Sequence, residues 1–199
     1  NSDGLYTVVL IAQSDSNCLD TATKQITIYP VPVAAFSVSN ICIYDSALFA
    51  NLSSVTPGSI ATHSWDFGDS SPVSNGVNPA HDYPTPGMYA VKLVVISHNN
   101  CTDTAMGGVY VNPQPVADFT NDSVCFGNFN SFSDLSTVRA GQIIGWSWNF
   151  GDASTGTLQN TTHSYASAQS FTVTLIAASD SGCTDTIQKI AMVYPLPTA

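Results

Sequence analysis

The chain has 199 residues, with four basic side chains against fourteen acidic ones and a formal net charge of −10. All the acidic residues are Asp, which competes for backbone amides and favours turns; none is Glu, which favours helix interiors. That balance argues against nucleic acid and anionic membrane surfaces as partners, and the abundance of Thr, Val, Ser, Tyr and Phe points to an all-β chain.

The first expected element, in chain order, is Gly4-Leu5-Tyr6-Thr7-Val8-Val9-Leu10, an apolar run without the basic start of a secretory leader and therefore read as a strand. No apolar run approaches the roughly 18 residues of a membrane-spanning helix. Tyr29-Pro30-Val31-Pro32 follows, a proline pair that removes ladder donors and stiffens the backbone into a short hinge. Val33 to Phe36 predicts a strand, Cys42 comes next, and Leu48 to Leu52 predicts a second strand. Trp65 and Phe67 stand two apart, so they share one strand face and enter a core together. Gly68 lets the backbone turn, and the Asp69 carboxylate is placed to accept amide hydrogens of the loop beyond it. Asn78-Pro79 and Pro84-Thr85-Pro86-Gly87 mark turns. Tyr89, Val91, Leu93 and Val95 alternate with Ala90, Lys92 and Val94; Lys92 marks the solvent face, so the first set points inward. Cys101 sits in a polar turn, Val109 and Val111 lie on a last strand, and a second proline pair closes the unit at Asn112-Pro113-Gln114-Pro115.

The same order then returns. Trp65-Asp66-Phe67-Gly68-Asp69 recurs as Trp148-Asn149-Phe150-Gly151-Asp152, 83 residues on. Cys18 to Cys101 and Cys42 to Cys125 keep that step, and Cys101 to Cys183 differs from it by one residue. A fixed period of this size means a tandem array of one small module. Phe171, Val173, Leu175 and Ala177 take the inward positions of the long strand in the later copy, where Gln169 stands in place of Gly87. That turn is expected either to differ or to hold Gln169 at positive φ. The expected domains are 1–30, the last part of a module; 33–113 and 116–195, two complete modules; and 196–199, the opening of a further one. About 80 residues with roughly seven short strands is the size and pattern of an immunoglobulin-like β-sandwich.

Three strings carry a family resemblance: Trp65-Asp66-Phe67-Gly68-Asp69, Asn78-Pro79-Ala80-His81-Asp82-Tyr83, and Pro86-Gly87-Met88-Tyr89-Ala90-Val91. Together they resemble the PKD (polycystic kidney disease) domain. The later unit departs from the pattern at Asn149 and lacks the Pro-Gly turn. An early cysteine with a late Cys-Thr-Asp-Thr resembles the PKD arrays of very large secreted surface proteins of Bacteroidetes-type bacteria, gliding-motility adhesins among them. The resemblance implies tandem seven-stranded sandwiches, export to the cell surface and a spacer or adhesive role.

One early and one late cysteine per module predicts two intramodule disulfides, Cys42–Cys101 and Cys125–Cys183, with Cys18 left over. No close cysteine pair of the zinc-binding kind occurs. Closing a loop of about 60 residues contributes roughly 4 kcal/mol on the chain-entropy argument, and such bonds imply an oxidising, extracellular setting. His81 and His163 recur in register and are read as loop histidines bonded to backbone. Asp69 and Asp152 are the candidate calcium ligands, but each loop offers a single carboxylate, which favours turn-capping; no other cofactor is expected. Asp followed by Ser or Thr and an apolar residue resembles the O-glycosylation sequon of Bacteroidetes-type secreted proteins, which marks Thr21, Ser46, Thr104, Ser123 and Thr186 as candidate glycosylation sites. No nucleophile elbow, phosphate-binding loop or paired-carboxylate pattern stands out, so no enzyme is expected.

The expected function is a non-catalytic stalk, filament or adhesive segment of a secreted or surface-attached protein. Its partners would be neighbouring repeats of the same chain, like chains in a filament, or surface glycans and proteins. The alternative is an accessory binding module of a secreted polysaccharide- or protein-degrading enzyme.

Overall fold

The computed structural model describes residues 2–198; Asn1 and Ala199, the outer ends of the two expected partial modules, lie outside the described residues. No helix occurs among the described residues. An antiparallel hairpin opens the chain, β1 (Gly4–Gln13) with β2 (Leu19–Ile28), paired from Gly4↔Ile28 to Gln13↔Leu19. The run from Leu5 is therefore a strand, as expected.

The first complete repeat contains β3 (Phe36–Ser37), β4 (Ile41–Cys42), β5 (Ala47–Leu48), β6 (Ala50–Asn51), β7 (Ile60–Asp66), β8 (Ala80–His81), β9 (Gly87–Ser97) and β10 (Thr102–Asn112). The second contains β11 (Phe119–Asn121), β12 (Val124–Cys125), β13 (Asn130–Asp134), β14 (Ile143–Asn149), β15 (Thr155–Gly156), β16 (Thr161–His163), β17 (Ser170–Ser179) and β18 (Thr184–Tyr194). In the second repeat these form a three-stranded sheet, β11-β13-β16, and a five-stranded one, β12-β18-β17-β14-β15. β11 and β12 are the two halves of one opening strand that changes sheets, so the repeat is a seven-stranded sandwich when they are counted together. The first repeat has the same pairings: Ala47↔His81 matches Asn130↔His163, and Phe36↔Asn51 matches Phe119↔Asp134. Its second strand is broken at Phe49 into β5 and β6, where the later copy runs unbroken as β13.

Each core is a stack of aromatics facing the long strands. Val91, Leu93, Val95, Val109 and Val111 are fully buried in the first repeat, as are Val173, Leu175, Ala177 and Ala191 in the second. Period-2 alternation set that stripe, since successive strand side chains point to opposite faces. Trp65 packs on Phe36 at 5.3 Å and Phe49 at 5.5 Å; Trp148 packs on Phe119 at 5.1 Å and Phe132 at 5.8 Å. Edge-on and tilted geometry is what ring quadrupoles prefer. Both indole N–H groups donate across the same loop, Trp65 to the Gly76 carbonyl and Trp148 to the Leu158 carbonyl.

After each core tryptophan the chain turns sharply. Gly68 (φ 78°) and Gly151 (φ 82°) occupy the left-handed region, and a Cβ on either would lie 2.3 Å from the Ala90 carbonyl oxygen or 2.6 Å from that of Thr172. Gly151→Ala is therefore expected to cost more than about 2 kcal/mol, combining left-handed strain with a backbone collision. The urea midpoint of the second repeat measures it. Gln169 is not held at positive φ; the turn itself differs, and β17 starts at Ser170 with the Gln169 carbonyl accepting from Val193.

The chain resolves into two compact units that do not follow the repeat boundaries. One is Asn1–Ser39, Ser46–Asp82 and Met88–Val109; the other is Asn40–Asp45, Tyr83–Gly87 and Tyr110–Ala199. The second unit thus includes the early-cysteine loop of the first repeat.

Candidate functional site

The second unit contains the one disulfide found among the described residues, and it corrects the pairing expected from spacing. Cys42 bonds Cys183, 141 residues away, with Cα atoms 5.7 Å apart; Cys18, Cys101 and Cys125 are free thiols. Neither Cys42–Cys101 nor Cys125–Cys183 forms, and strand geometry explains why. The early cysteine pairs with the far end of the last strand: Cys42 lies opposite Asn112, and Cys125 opposite Tyr194. The late cysteine stands just before that strand begins, at Thr102 or Thr184. Ten extended steps at about 3.3 Å place early and late cysteines of one repeat roughly 33 Å apart, against the 7 Å or less a disulfide tolerates.

Both kinds of cysteine are held by repeated backbone geometry. At the early position the Asn112 carbonyl accepts from Ile43 and the Cys42 carbonyl from Asp45; Tyr194–Phe126 and Cys125–Asn128 repeat these bonds. At the late position the Cys101 N–H donates to Ser97 Oγ and its carbonyl accepts from the Ser97 N–H. Ser179 and Cys183 make the same pair of bonds, as do Ser14 and Cys18. The turn between uses Asn17, Asn100 or Gly182 at positive φ, residue types that tolerate it.

The aspartate two residues beyond the late cysteine fixes the start of its own repeat. Asp103 accepts from the Ala34 amide at 2.8 Å, and Asp185 from the Ala117 amide at 2.8 Å. The Ala34 and Thr104 amides hold the Asp103 carboxyl below its usual value. Sequence reasoning missed this role; recurrence of the aspartate beside every late cysteine was the signal. Thr21, Ser46, Thr104, Ser123 and Thr186, the candidate glycosylation sites, all lie in exposed positions, with Ser46 Oγ donating to Asp82. Thr21, Thr104 and Thr186 fall on β2, β10 and β18.

A second repeated cluster surrounds the loop histidines. His81 Nε2 lies 2.7 Å from Asp69 Oδ2, while Asp69 Oδ1 accepts from the Ser71 amide and hydroxyl. His163 Nε2 lies 2.7 Å from Asp152 Oδ2, and Asp152 Oδ1 accepts from the Ser154 amide. Each imidazole stacks on the preceding phenylalanine, His81 on Phe67 at 4.0 Å and His163 on Phe150 at 4.3 Å. A carboxylate thus partners Nε2 of each histidine, where a backbone group was expected. In each cluster the serine bonds the aspartate. No group of three His, Cys, Asp or Glu side chains among the described residues is arranged to hold a metal ion. Asn149 does the work of Asp66: each accepts from the glycine two residues on.

Burial alone would raise the Asp69 carboxyl, but the Ser71 hydroxyl and His81 ring outweigh it and hold it at about 2. Asp152 is likewise raised by burial and lowered, on balance, by His163 and Ser154. A depressed carboxyl stabilises the fold fully above its unfolded value, near 3.8, and that stability is lost as pH falls through about 2. With its side chain 5% exposed, Asp69 is expected to contribute on the order of 1–2 kcal/mol. Asp69→Asn should lower the urea midpoint at neutral pH and flatten its fall on acidification.

The PKD domain profile matches residues 29–111 and 112–194, both repeats end to end. The chain belongs to the PKD domain family. Human polycystin-1 is 30% identical over 193 residues, covering 90% of this chain and 4% of its own length, so the chain spans a small fraction of that relative. The PKD1 domain of Vibrio anguillarum Epp is 27% identical, with a TM-score of 0.40, covering 43% of this chain and 99% of that one. The eight N-terminal immunoglobulin domains of the Down syndrome cell adhesion molecule share the fold at 12% identity and a TM-score of 0.54, over 98% of this chain and 28% of theirs. PKD domains are non-catalytic modules, typically extracellular and adhesive or accessory in role.

Proposed function

We propose that this chain is a non-catalytic spacer segment of a secreted, surface-attached adhesive protein, in which successive PKD sandwiches set the reach of a stalk or filament. The observation that carries the reading is the disulfide between cysteines of two successive repeats, Cys42 and Cys183. A bond within one domain guards that domain alone. A bond from one repeat to the next preserves the length of an array under tension, and disulfides of this kind persist outside the cell. The sparse basic charge and net charge of −10 suit a solvated exterior that repels its own copies.

Pulling on the chain ends with a force probe tests it. With the bond intact, the 141-residue interval from Cys42 to Cys183 cannot be drawn out. Reduction should lengthen the fully extended chain by about 50 nm, at roughly 3.5 Å per residue. Equal extension with and without reductant would reject the mechanical reading.

A further inference from the structure

Three free cysteines among the described residues have surroundings that copy those of the bonded pair. Cys125 occupies the early position, opposite the last residue of β18, as Cys42 lies opposite the last residue of β10. The carbonyl of each accepts from the amide three residues on, at 3.1 Å in both cases. Cys101 and Cys18 occupy the late position, with the same pair of bonds to a serine that holds Cys183. Cys125 is exposed and Cys101 partly so. The early and late cysteines of one repeat cannot reach each other, because the length of the last strand separates them.

We propose a head-to-tail rule: the early cysteine of each repeat bonds the late cysteine of the repeat that follows it in the chain, so Cys125 takes the late cysteine of a further repeat of this kind. Cys101 and Cys18 are the matching acceptors for early cysteines of repeats that precede theirs in the chain. The array is then one covalent ladder, with one rung per junction. The rule does not depend on the spacer reading, since it concerns sulfur pairing and not the role of the array.

The chemistry is thiol–disulfide exchange with a small-molecule or enzyme disulfide as oxidant. The Cys125 thiolate attacks one sulfur of that disulfide and expels the other as a thiolate. The late-cysteine thiolate then attacks the Cys125 sulfur, forms the rung and releases the second thiolate. Two protein thiols lose two electrons and two protons, and the oxidant is reduced to two thiols.

The test lengthens the full chain by residues 118–195, appended after Ala199 in register with Ala117, and refolds it in a glutathione redox buffer. Non-reducing peptide mapping should find Cys42–Cys183 and, in addition, Cys125 bonded to the late cysteine of the added repeat, each bond removing about 2 Da. Cys125→Ser should lose the second bond and keep the first. Cys125 open to alkylation in the folded, lengthened chain, or bonded to Cys183, would overturn the rule. A second arm needs no added repeat: a chain carrying Cys18→Ser and Cys101→Ser is mixed with one carrying Cys125→Ser. Crosslinks should join Cys125 to Cys18 or Cys101 at least tenfold faster than Cys125 joins itself. Equal rates would count against the rule.

Discussion

Trp148→Ala is expected to unfold the second PKD sandwich or bring it to the edge of unfolding. The side chain is fully buried between Phe119 at 5.1 Å and Phe132 at 5.8 Å, and it lies parallel to Phe150 at 6.4 Å. Truncating a buried tryptophan costs about 3–5 kcal/mol through lost burial and the cavity left behind. The Leu158 carbonyl also loses its indole donor, 2.8 Å away, which adds about 1 kcal/mol or more. A small domain holds only about 5–15 kcal/mol in total, and one of this size sits low in that range. Trp148→Phe separates the contributions: it keeps a ring in the core and drops the N–H, so it should cost less than half as much. The measurement is urea unfolding followed by far-UV circular dichroism, in which the second repeat's transition should move and the first repeat's should not. A loss below about 1.5 kcal/mol would mean that the core is not organised around this ring.

Much of this architecture was legible in the residues. The 83-residue step marked the repeat by direct recurrence; the alternation from Tyr89 to Val95 marked the inward stripe and the Trp-x-Phe-Gly-Asp string the sharp turn, because those two depend on neighbours within a few positions. The clusters that depend on distant partners were harder to see. Asp69 and His81 meet across a twelve-residue interval, and both recur in register as Asp152 and His163. Backbone partners were expected for these histidines, because residues eleven or twelve apart on different elements are not paired by any local pattern. Cysteine counting gave one early and one late thiol per repeat, but not their places at opposite ends of the last strand. That arrangement arises from the parallel pairing of β4 with β10 and of β12 with β18, a contact some 70 residues apart in sequence that no local pattern encodes.

Cys42→Ser and Cys183→Ser should each lower the melting temperature by the same amount, and the double variant by no more than either alone. The two sulfurs make one bond, so removing either end removes all of it, and coupling of this kind is what a double-mutant cycle reads. Closing an interval of 141 residues restricts the unfolded chain by about 5 kcal/mol on the chain-entropy argument. Measured losses for native disulfides run at about 2–5 kcal/mol, which for a chain of this length is roughly 5–20 °C. The loss should fall on the second unit for both variants, although Cys42 belongs by sequence to the first repeat, because the loop Asn40–Asp45 is part of that unit. Cys101→Ser and Cys125→Ser, which touch free thiols, should leave the melting temperature of this chain within about 1 °C, as surface changes away from special features do. Intramodule bonds would give the opposite result: Cys101→Ser would match Cys42→Ser, Cys125→Ser would match Cys183→Ser, and the two losses would add. Four single variants and one double therefore decide whether sulfur joins the two ends of each repeat or one repeat to the next.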